Sequence, residues 1–565
     1  MVAAKSVQSA NSVANPGGGH TRSAAGTLVL LLTLVTSSAV GATASASAEP
    51  SASTYGNSAA APSPGPSVPD DLKGHRHARA CPPPQARQVS CTTIVDLNVS
   101  GPLASPDTAP SGYAPADLQA AYSLPSATGG VGHTIAVVDA YDAPTAASDL
   151  GVYRSKFGLP PCGSRCFTKV NQLGQSTGTM PPFDAGWATE ISLDLDMVSA
   201  ACPNCHILLV EANTASLADI GAAVNMAVQM GATAVSNSYG VAEFSGQSAY
   251  DVYYNHPGVT ITASSGDSSY GVQYPAASPY VTAVGGTSLT RNSTSGSWQE
   301  TAWAGSGSGC SAFEPKPTWQ HDSGCSARTV ADVAAVADPA TGVAFYNSTP
   351  GTNGLSGWLV GGGTSVSTPL VAAASALGAE QSPTGYPVQQ AYVATSGLTD
   401  IVSGSNGTCT PSYLCTAGTG YDGPTGLGSP SGTAALAPSN PGAFTSLAPY
   451  RQLDTRNGTG GVSGPVAPGA TIRVPVNGHG GIPTTGVSAV AVNVTVTQPS
   501  SYGNIVVYAS GTALPGTSNL NFTAGQTIPN LVIAPVGSDG MIALTNNSSG
   551  TVQLIADTSG YYLGG

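Results

Sequence analysis

From about Tyr113 to Pro430 the chain alternates short, nearly unbroken apolar runs with helix-like ones, and this rhythm limits the fold more than any other feature. His133 to Ala140, Cys205 to Val210, Ala232 to Ser238, Val259 to Ser264 and Val281 to Gly285 read as strands; Ala143 to Phe157 and Ala215 to Gln229 read as helices between them. A strand that is apolar on both sides must be covered on both sides, and alternating β and α segments supply that cover as helices on the two faces of a parallel sheet. Such sheets carry their chemistry at the carboxyl ends of the strands. An α/β domain over 113–437 is the expectation.

The texture changes at Ala437-Pro438-Ser439-Asn440-Pro441-Gly442. Beyond it no helix pattern remains. Short strands such as Thr471 to Val476, Ala489 to Val496, Asn504 to Ala509, Leu531 to Val536 and Val552 to Ala556 are separated by Gly, Pro and Asn turns, which predicts a small all-β, sandwich-like domain over 443–565. At the other end, Lys5 and Arg22 precede an apolar run from Leu28 to Val40 and a small-residue Ala46-Ser47-Ala48. That order predicts a secretory signal peptide over 1–48 and a secreted product, without a stable membrane anchor because the run is short for a span. Residues 49–112, rich in Ala, Ser, Pro and Gly with a basic patch from Lys73 to Arg79, read as a disordered leader clipped by one disulfide.

Only 8% of residues are charged and the net charge is −13. Such a surface offers no basic stripe for nucleic acid, and its scarcity of ion pairs suits acid, where carboxylates lose their charge. The ten cysteines fall as five close pairs, Cys81/Cys91, Cys162/Cys166, Cys202/Cys205, Cys310/Cys325 and Cys409/Cys415, which behind an export signal read as disulfides. Near-neighbour pairing is the simplest connectivity, although spacing alone leaves it open. Cys202, Cys205 and His206 could form half of a zinc site, but a second cluster to complete four ligands is missing.

Gly362 to Pro369, GGTSVSTP, has the glycines, serine and helix-opening proline of a hydrolase nucleophile turn, with Ser365 near a helix N-terminus where free N–H groups can meet an oxyanion. Asp139, at the end of Ile135-Ala136-Val137-Val138-Asp139, could be a triad aspartate. No histidine completes the set: His20, His75 and His77 lie upstream, His133 starts a strand, His206 follows the cysteine pair, His256 and His321 sit in polar loops, and His479 lies in the second domain. Another group must take the proton from Ser365. Between Asp184 and Ala201 there are four acidic residues and no Lys or Arg; as a helix the segment stacks Glu190 and Asp194 at i and i+4. Like charges so placed destabilise a helix unless a carboxyl holds a proton or binds a cation. A third carboxylate, Asp267, stands in Ser264-Ser265-Gly266-Asp267-Ser268, where a strand runs into a turn.

Together these segments resemble the sedolisin family, the serine-carboxyl peptidases. The family's Glu-x-x-x-Asp helix matches Glu190 and Asp194, its Ser-Gly-Asp turn matches Asp267, and its Gly-Thr-Ser-x-x-x-Pro matches Gly363, Thr364, Ser365 and Pro369, all in the family's order. The resemblance implies a subtilisin-like parallel sheet flanked by helices, with Ser365 as nucleophile and Glu190 as general base. It further implies Asp194 as the residue that orients the base, a protonated Asp267 as oxyanion donor, and Asp139 and Tyr239 behind them. Asp400-Ile401 and Gly418-Thr419-Gly420-Tyr421-Asp422 match the family's calcium loop, which implies one structural Ca2+ held by Asp400, Ile401, Gly418, Gly420 and Asp422. The implied activity is acid endopeptidase cleavage of protein or peptide substrates by a secreted monomer. Two departures stand out: the leader is thin where the family carries a large propeptide, and Ser269 follows the Ser-Gly-Asp-Ser turn where the family often has glycine. The final domain, with Leu453-Asp454-Thr455-Arg456 and Asp557 to Tyr562, resembles a β module appended to secreted actinobacterial proteins. A cell-wall or polysaccharide ligand follows from its position, with Asp454 and Arg456 either gripping it or forming a structural salt bridge. A catalytically silent binding protein on the same fold and a subtilase with an unusual histidine are the competing readings.

Overall fold

A computed structural model describes residues 67–68, 76–98, 110–163, 166–378, 385–437, 444–484 and 486–563. The expected signal peptide, most of the leader and the expected hinge at 438–442 lie outside the described residues. Strand order in the main sheet is Trp298–Ala302, Thr282–Arg291, Thr260–Ser264, Ala234–Asn237, Thr134–Ala140, His206–Ala212 and Phe167–Asn171, with Val333–Val336 also paired to Thr282–Arg291. All of these pairings are parallel except the one made by Trp298–Ala302.

The strands' near-continuous apolar character has the expected cause. Ile135, Val137, Ile207 and Leu209 pack on one face, with the helices Ala185–Ala201 and Thr364–Gly378. Their neighbours Ala136, Val138, Leu208 and Val210 pack on the other, with Leu217–Gln229. Successive side chains of a strand point to opposite faces, so each strand feeds both cores. The nucleophile helix begins at Thr364, five residues before the proline expected to open it, and Pro369 lies within it.

The leader departs most from expectation. Residues 76–98 are folded: His77–Arg79 pairs antiparallel with Ile94–Asp96, and Cys81 is bonded to Cys91. Ile94 and Val95 then pair with Gly362 and Gly361 of the strand Gly357–Gly362, and Ser90–Cys91 pairs with Gly240–Tyr239. Composition suggested disorder because the segment carries little apolar surface of its own. It folds because its backbone groups complete strand ladders on the larger domain, and Val89, Cys91, Ile94 and Val95 are buried there.

All five disulfides join near neighbours, and the described residues include no free cysteine. Cys202 and Cys205 are therefore committed to each other, and His206 bonds to Thr168 through Nε2 at 2.9 Å; the half-zinc reading falls. No described helix is long and apolar enough to cross a membrane.

The C-terminal domain is two four-stranded antiparallel sheets. One holds Phe444–Asp454, Gln553–Leu563, Val487–Thr497 and Ile528–Pro535; the other holds Thr471–Pro475, Met541–Ser548, Gly503–Ala509 and Leu520–Phe522. Val490, Val492, Val494 and Val496 alternate into the core between them. Asp454, buried, pairs with Arg456 at 2.7 Å and Arg451 at 3.2 Å, and Arg451 reaches on to Asp557 at 2.8 Å. The Asp454–Arg456 pair is thus a salt bridge, pulling the Asp454 carboxyl down to about 2 chiefly through the hydrogen bond from Arg456.

Candidate active site

Four elements and one turn deliver the site. The helix Ala185–Ala201 is opened by Asp184, whose Oδ1 accepts from the N–H groups of Gly186 and Trp187, each at 3.0 Å, satisfying donors that have no partner inside a helix. Gly186 to Ala201 is buried throughout, so Glu190 and Asp194, stacked one turn apart, are removed from water. Asp139 shares its sheet face with Ile135 and Val137, and its charge acts on Glu190 and Asp194. The strand His206–Ala212 adds Glu211, whose carboxylate pairs with Lys169 at 2.9 Å and accepts from Ala143 N–H at 2.9 Å.

A row of buried carboxyls therefore runs from Ser365 through Glu190, Asp194 and Asp139 to Glu211, with a cation, Lys169, at its far end. Burial penalises the charged form of each. It pushes Glu190 up to about 8, against hydrogen bonds from Ser365 and Thr93 that hold it down. Asp194 and Asp139 are raised well above the usual carboxylate range, first by burial and then by their like-charged neighbours, and Glu211 rises by burial to about 7 despite Lys169. The like charges are tolerated because protons remain in the row.

Asp267 follows the strand Thr260–Ser264. Its Oδ1 accepts from the N–H and hydroxyl of Thr364, both at 2.8 Å, while its buried Oδ2 has no hydrogen-bond partner. Burial raises its pKa to about 6, with Arg79 and Thr364 opposing. Ser365 is the second residue of its helix, so its N–H has no acceptor within that helix. Gly363 before it adopts a left-handed φ of 91°, and a Cβ there would lie 1.9 Å from the Thr92 carbonyl oxygen and 2.5 Å from Asp267 Oδ2. Only glycine fits.

The leader crosses this arrangement. Thr92 Oγ1 lies 2.8 Å from Ser365 Oγ, and the Thr93 N–H donates to Glu190 Oε2 at 2.9 Å. The Arg79 guanidinium donates to the Asp267 carbonyl at 2.6 Å. The Thr92–Thr93 peptide thus spans Ser365, Glu190 and the ground over Gly363 beside Asp267. Ser365 Oγ hydrogen-bonds to Thr92 Oγ1, and Glu190 Oε1 is buried with no hydrogen-bond partner.

Residues 185–425 match the subtilase family profile. The chain is 31% identical over 368 residues to kumamolisin of Bacillus sp. (strain MN-32), covering 58% of this chain and 64% of that protein. It is 35% identical over 175 residues to sedolisin of Pseudomonas sp. (strain 101), covering 28% of each. These relatives are peptidases of the sedolisin type, and it is to them that the chain is similar. It spans less than two thirds of the length of these relatives. A solved structure of Pseudomonas sedolisin, a serine-carboxyl proteinase complexed with two molecules of pseudo-iodotyrostatin, aligns with a TM-score of 0.48 and 27% identity, covering 57% of this chain and 96% of that one.

In this chain the motif residues named from sequence meet in one place: Glu190, Asp194 and Asp139 in the buried row, Asp267 and Ser365 at its open end. Tyr239 is also buried nearby, but its hydroxyl donates to Asn237 Oδ1 at 2.5 Å rather than to a carboxyl. Its ring packs near Trp187, with centroids 6.2 Å apart. Sequence reasoning missed Thr92, Thr93, Arg79 and Glu211. The one sign of the first three was the cysteine pair, a brace in a segment otherwise read as unstructured.

Asp400 and Asp422 converge on the glycine loop: Asp400 Oδ2 accepts from Gly420 N–H at 2.9 Å and Asp422 Oδ2 from Gly418 N–H at 3.0 Å. Asp400 lies close enough for its charge to oppose ionisation of Asp422, and with no basic side chain bonded to either among the described residues the two carboxylates form a donor set that suits a hard divalent cation.

Proposed function

We propose that this chain is a secreted, acid-active serine-carboxyl endopeptidase that cleaves protein or peptide substrates through an acyl-enzyme on Ser365. The observation that carries this reading is the Thr92–Thr93 peptide, held with its N–H on Glu190, its hydroxyl on Ser365 and its carbonyl over Gly363 beside the unpartnered Oδ2 of Asp267.

The protons of the coupled carboxyls belong to the row rather than to one residue; with them on Asp194 and Asp139, ionised Glu190 takes the Ser365 proton as Oγ attacks the carbonyl carbon, then delivers it to the leaving nitrogen. The Thr93 N–H on Oε2 marks where that nitrogen sits. Asp194 and Asp139 orient Glu190 and adjust its charge. Asp267, when neutral, donates from Oδ2 to the oxyanion alongside the Ser365 N–H. A carboxylic acid donates only while protonated, so the reaction belongs to acid. A calcium ion held by Asp400 and Asp422, with the carbonyls of Ile401, Gly418 and Gly420, would tie the loop 400–422 to the domain. The C-terminal sandwich is proposed to bind cell-wall or other polysaccharide.

The test is hydrolysis of a denatured protein between pH 2 and 8 by wild type, Ser365→Ala and Glu190→Gln. Acid-confined activity lost in both variants is expected. Activity that survives Glu190→Gln would point to a histidine-dependent subtilase. No activity in folded, calcium-loaded wild type would leave a binding protein.

A further inference from the structure

The leader lies in the site as a peptide would, with ladders on both sides of one bond: Ser90–Cys91 against Gly240–Tyr239 on the acyl side, Ile94–Val95 against Gly362–Gly361 on the amine side. What surrounds the Thr92 side chain is then a statement about specificity, resting on the peptidase reading above. Its hydroxyl is 3.1 Å from Ser264 Oγ and 3.3 Å from the Ser238 carbonyl, on two walls of one crevice. Gln273 stands between the continuations of those walls. A Cβ on Gly240 would meet Gln273 Oε1 at 2.3 Å, and a Cβ on Gly266 would meet its Cδ at 2.6 Å. Gln273 Oε1 is itself buried with no hydrogen-bond partner. The crevice has glycine walls that could admit a large side chain, and the glutamine occupies that width.

We propose that the acyl-side pocket selects threonine or serine, with Gln273 closing it to larger side chains, and that the first bond the site cleaves is Thr92–Thr93 of its own chain. In that step Ser365 Oγ bonds to the Thr92 carbonyl carbon as its proton passes to Glu190. The Thr92–Thr93 C–N bond breaks, and the proton moves from Glu190 to the Thr93 nitrogen. Water then attacks the Thr92 ester; its proton returns through Glu190 to Ser365 Oγ, leaving a carboxyl on Thr92 and a free amine on Thr93. The Cys81–Cys91 disulfide lies wholly on the acyl side, so it does not tether the severed leader to the enzyme.

The experiment has two arms. First, the secreted full chain is acidified and its amino terminus read by intact mass and end sequencing: wild type should begin at Thr93, and Ser365→Ala should keep the bond intact. Second, the processed enzyme is given peptides Ser-Ser-X-Thr-Ile with X as Thr, Ser, Val or Phe. A kcat/KM at least about 10-fold higher for Thr and Ser than for Val, and about 100-fold higher than for Phe, is expected, since a pocket built to bond a hydroxyl leaves its polar groups unpaired without one. Gln273→Gly should raise the Phe-to-Thr ratio at least about 10-fold. Processing at a different bond, or Val and Phe cleaved as well as Thr by wild type, would overturn the proposal while leaving the peptidase reading intact. No cleavage of any peptide or of the leader would overturn both.

Discussion

The buried carboxyl row makes stability fall as pH rises, the reverse of ordinary acid denaturation. Glu190 shifts from 4.5 to about 8 on folding and Asp267 from 3.8 to about 6, in both cases because burial penalises the charge. A raised acid holds its proton in the folded state after the unfolded chain has released it, so its contribution is complete below the unfolded pKa and is lost as pH climbs to the folded one. At about 1.4 kcal/mol per pH unit, Glu190 withdraws about 3 kcal/mol between pH 4.5 and 7, and Asp267 about 3 kcal/mol between pH 4 and 6. Asp139 and Asp194 act in the same direction. A loss of order 6 kcal/mol compares with a typical total stability of about 5–15 kcal/mol. The assay is guanidinium unfolding of full-length Ser365→Ala, which keeps its leader docked, followed by tryptophan fluorescence at pH 4 and pH 7. All five tryptophans, Trp187, Trp298, Trp303, Trp319 and Trp358, lie in the α/β domain, so the sandwich is silent. Adding Glu190→Gln should remove roughly half of the difference. A midpoint at pH 7 equal to or above that at pH 4 would refute the protonated row.

Asp267→Asn keeps an acceptor for Thr364 and an N–H donor in place of Oδ2, so it should retain more activity in acid than Asp267→Ala, for which a loss of about 100-fold or more in kcat is expected. It should also weaken the decline in rate near pH 6 that belongs to Asp267; peptide kinetics from pH 3 to 8 read both. Ser269 sits at φ 63°, a left-handed conformation that costs a side chain roughly 1 kcal/mol, so Ser269→Gly should raise the unfolding midpoint by about that free energy, with a decrease counting against the strain. Calcium should protect the loop 400–422 from proteolysis, chelation should expose it, and in Asp422→Ala the two conditions should give the same cleavage rate.

Much of the site was legible along the chain because its chemistry is carried by short local patterns. The i, i+4 spacing of Glu190 and Asp194 sets one helix face, a glycine must precede Ser365 where φ is positive, and strand parity turns Asp139 toward the same helix. The βα rhythm and the alternation of Val490 to Val496 likewise fix which surfaces need cover, and hence a covered parallel sheet and a sandwich. The leader could not be read in this way. Nothing local makes 76–98 a folded segment, since its ladders are completed by residues 239–240 and 361–362, far along the chain. Glu211 was hidden for a related reason: an acid in an apolar strand carries no sign of the lysine at 169 that accompanies it. Periodicity and motif decided what each segment can be. Which peptide bond lies between Ser365 and Glu190, and which side chain fills the pocket beside it, were settled only when distant backbone edges met and left room for one threonine.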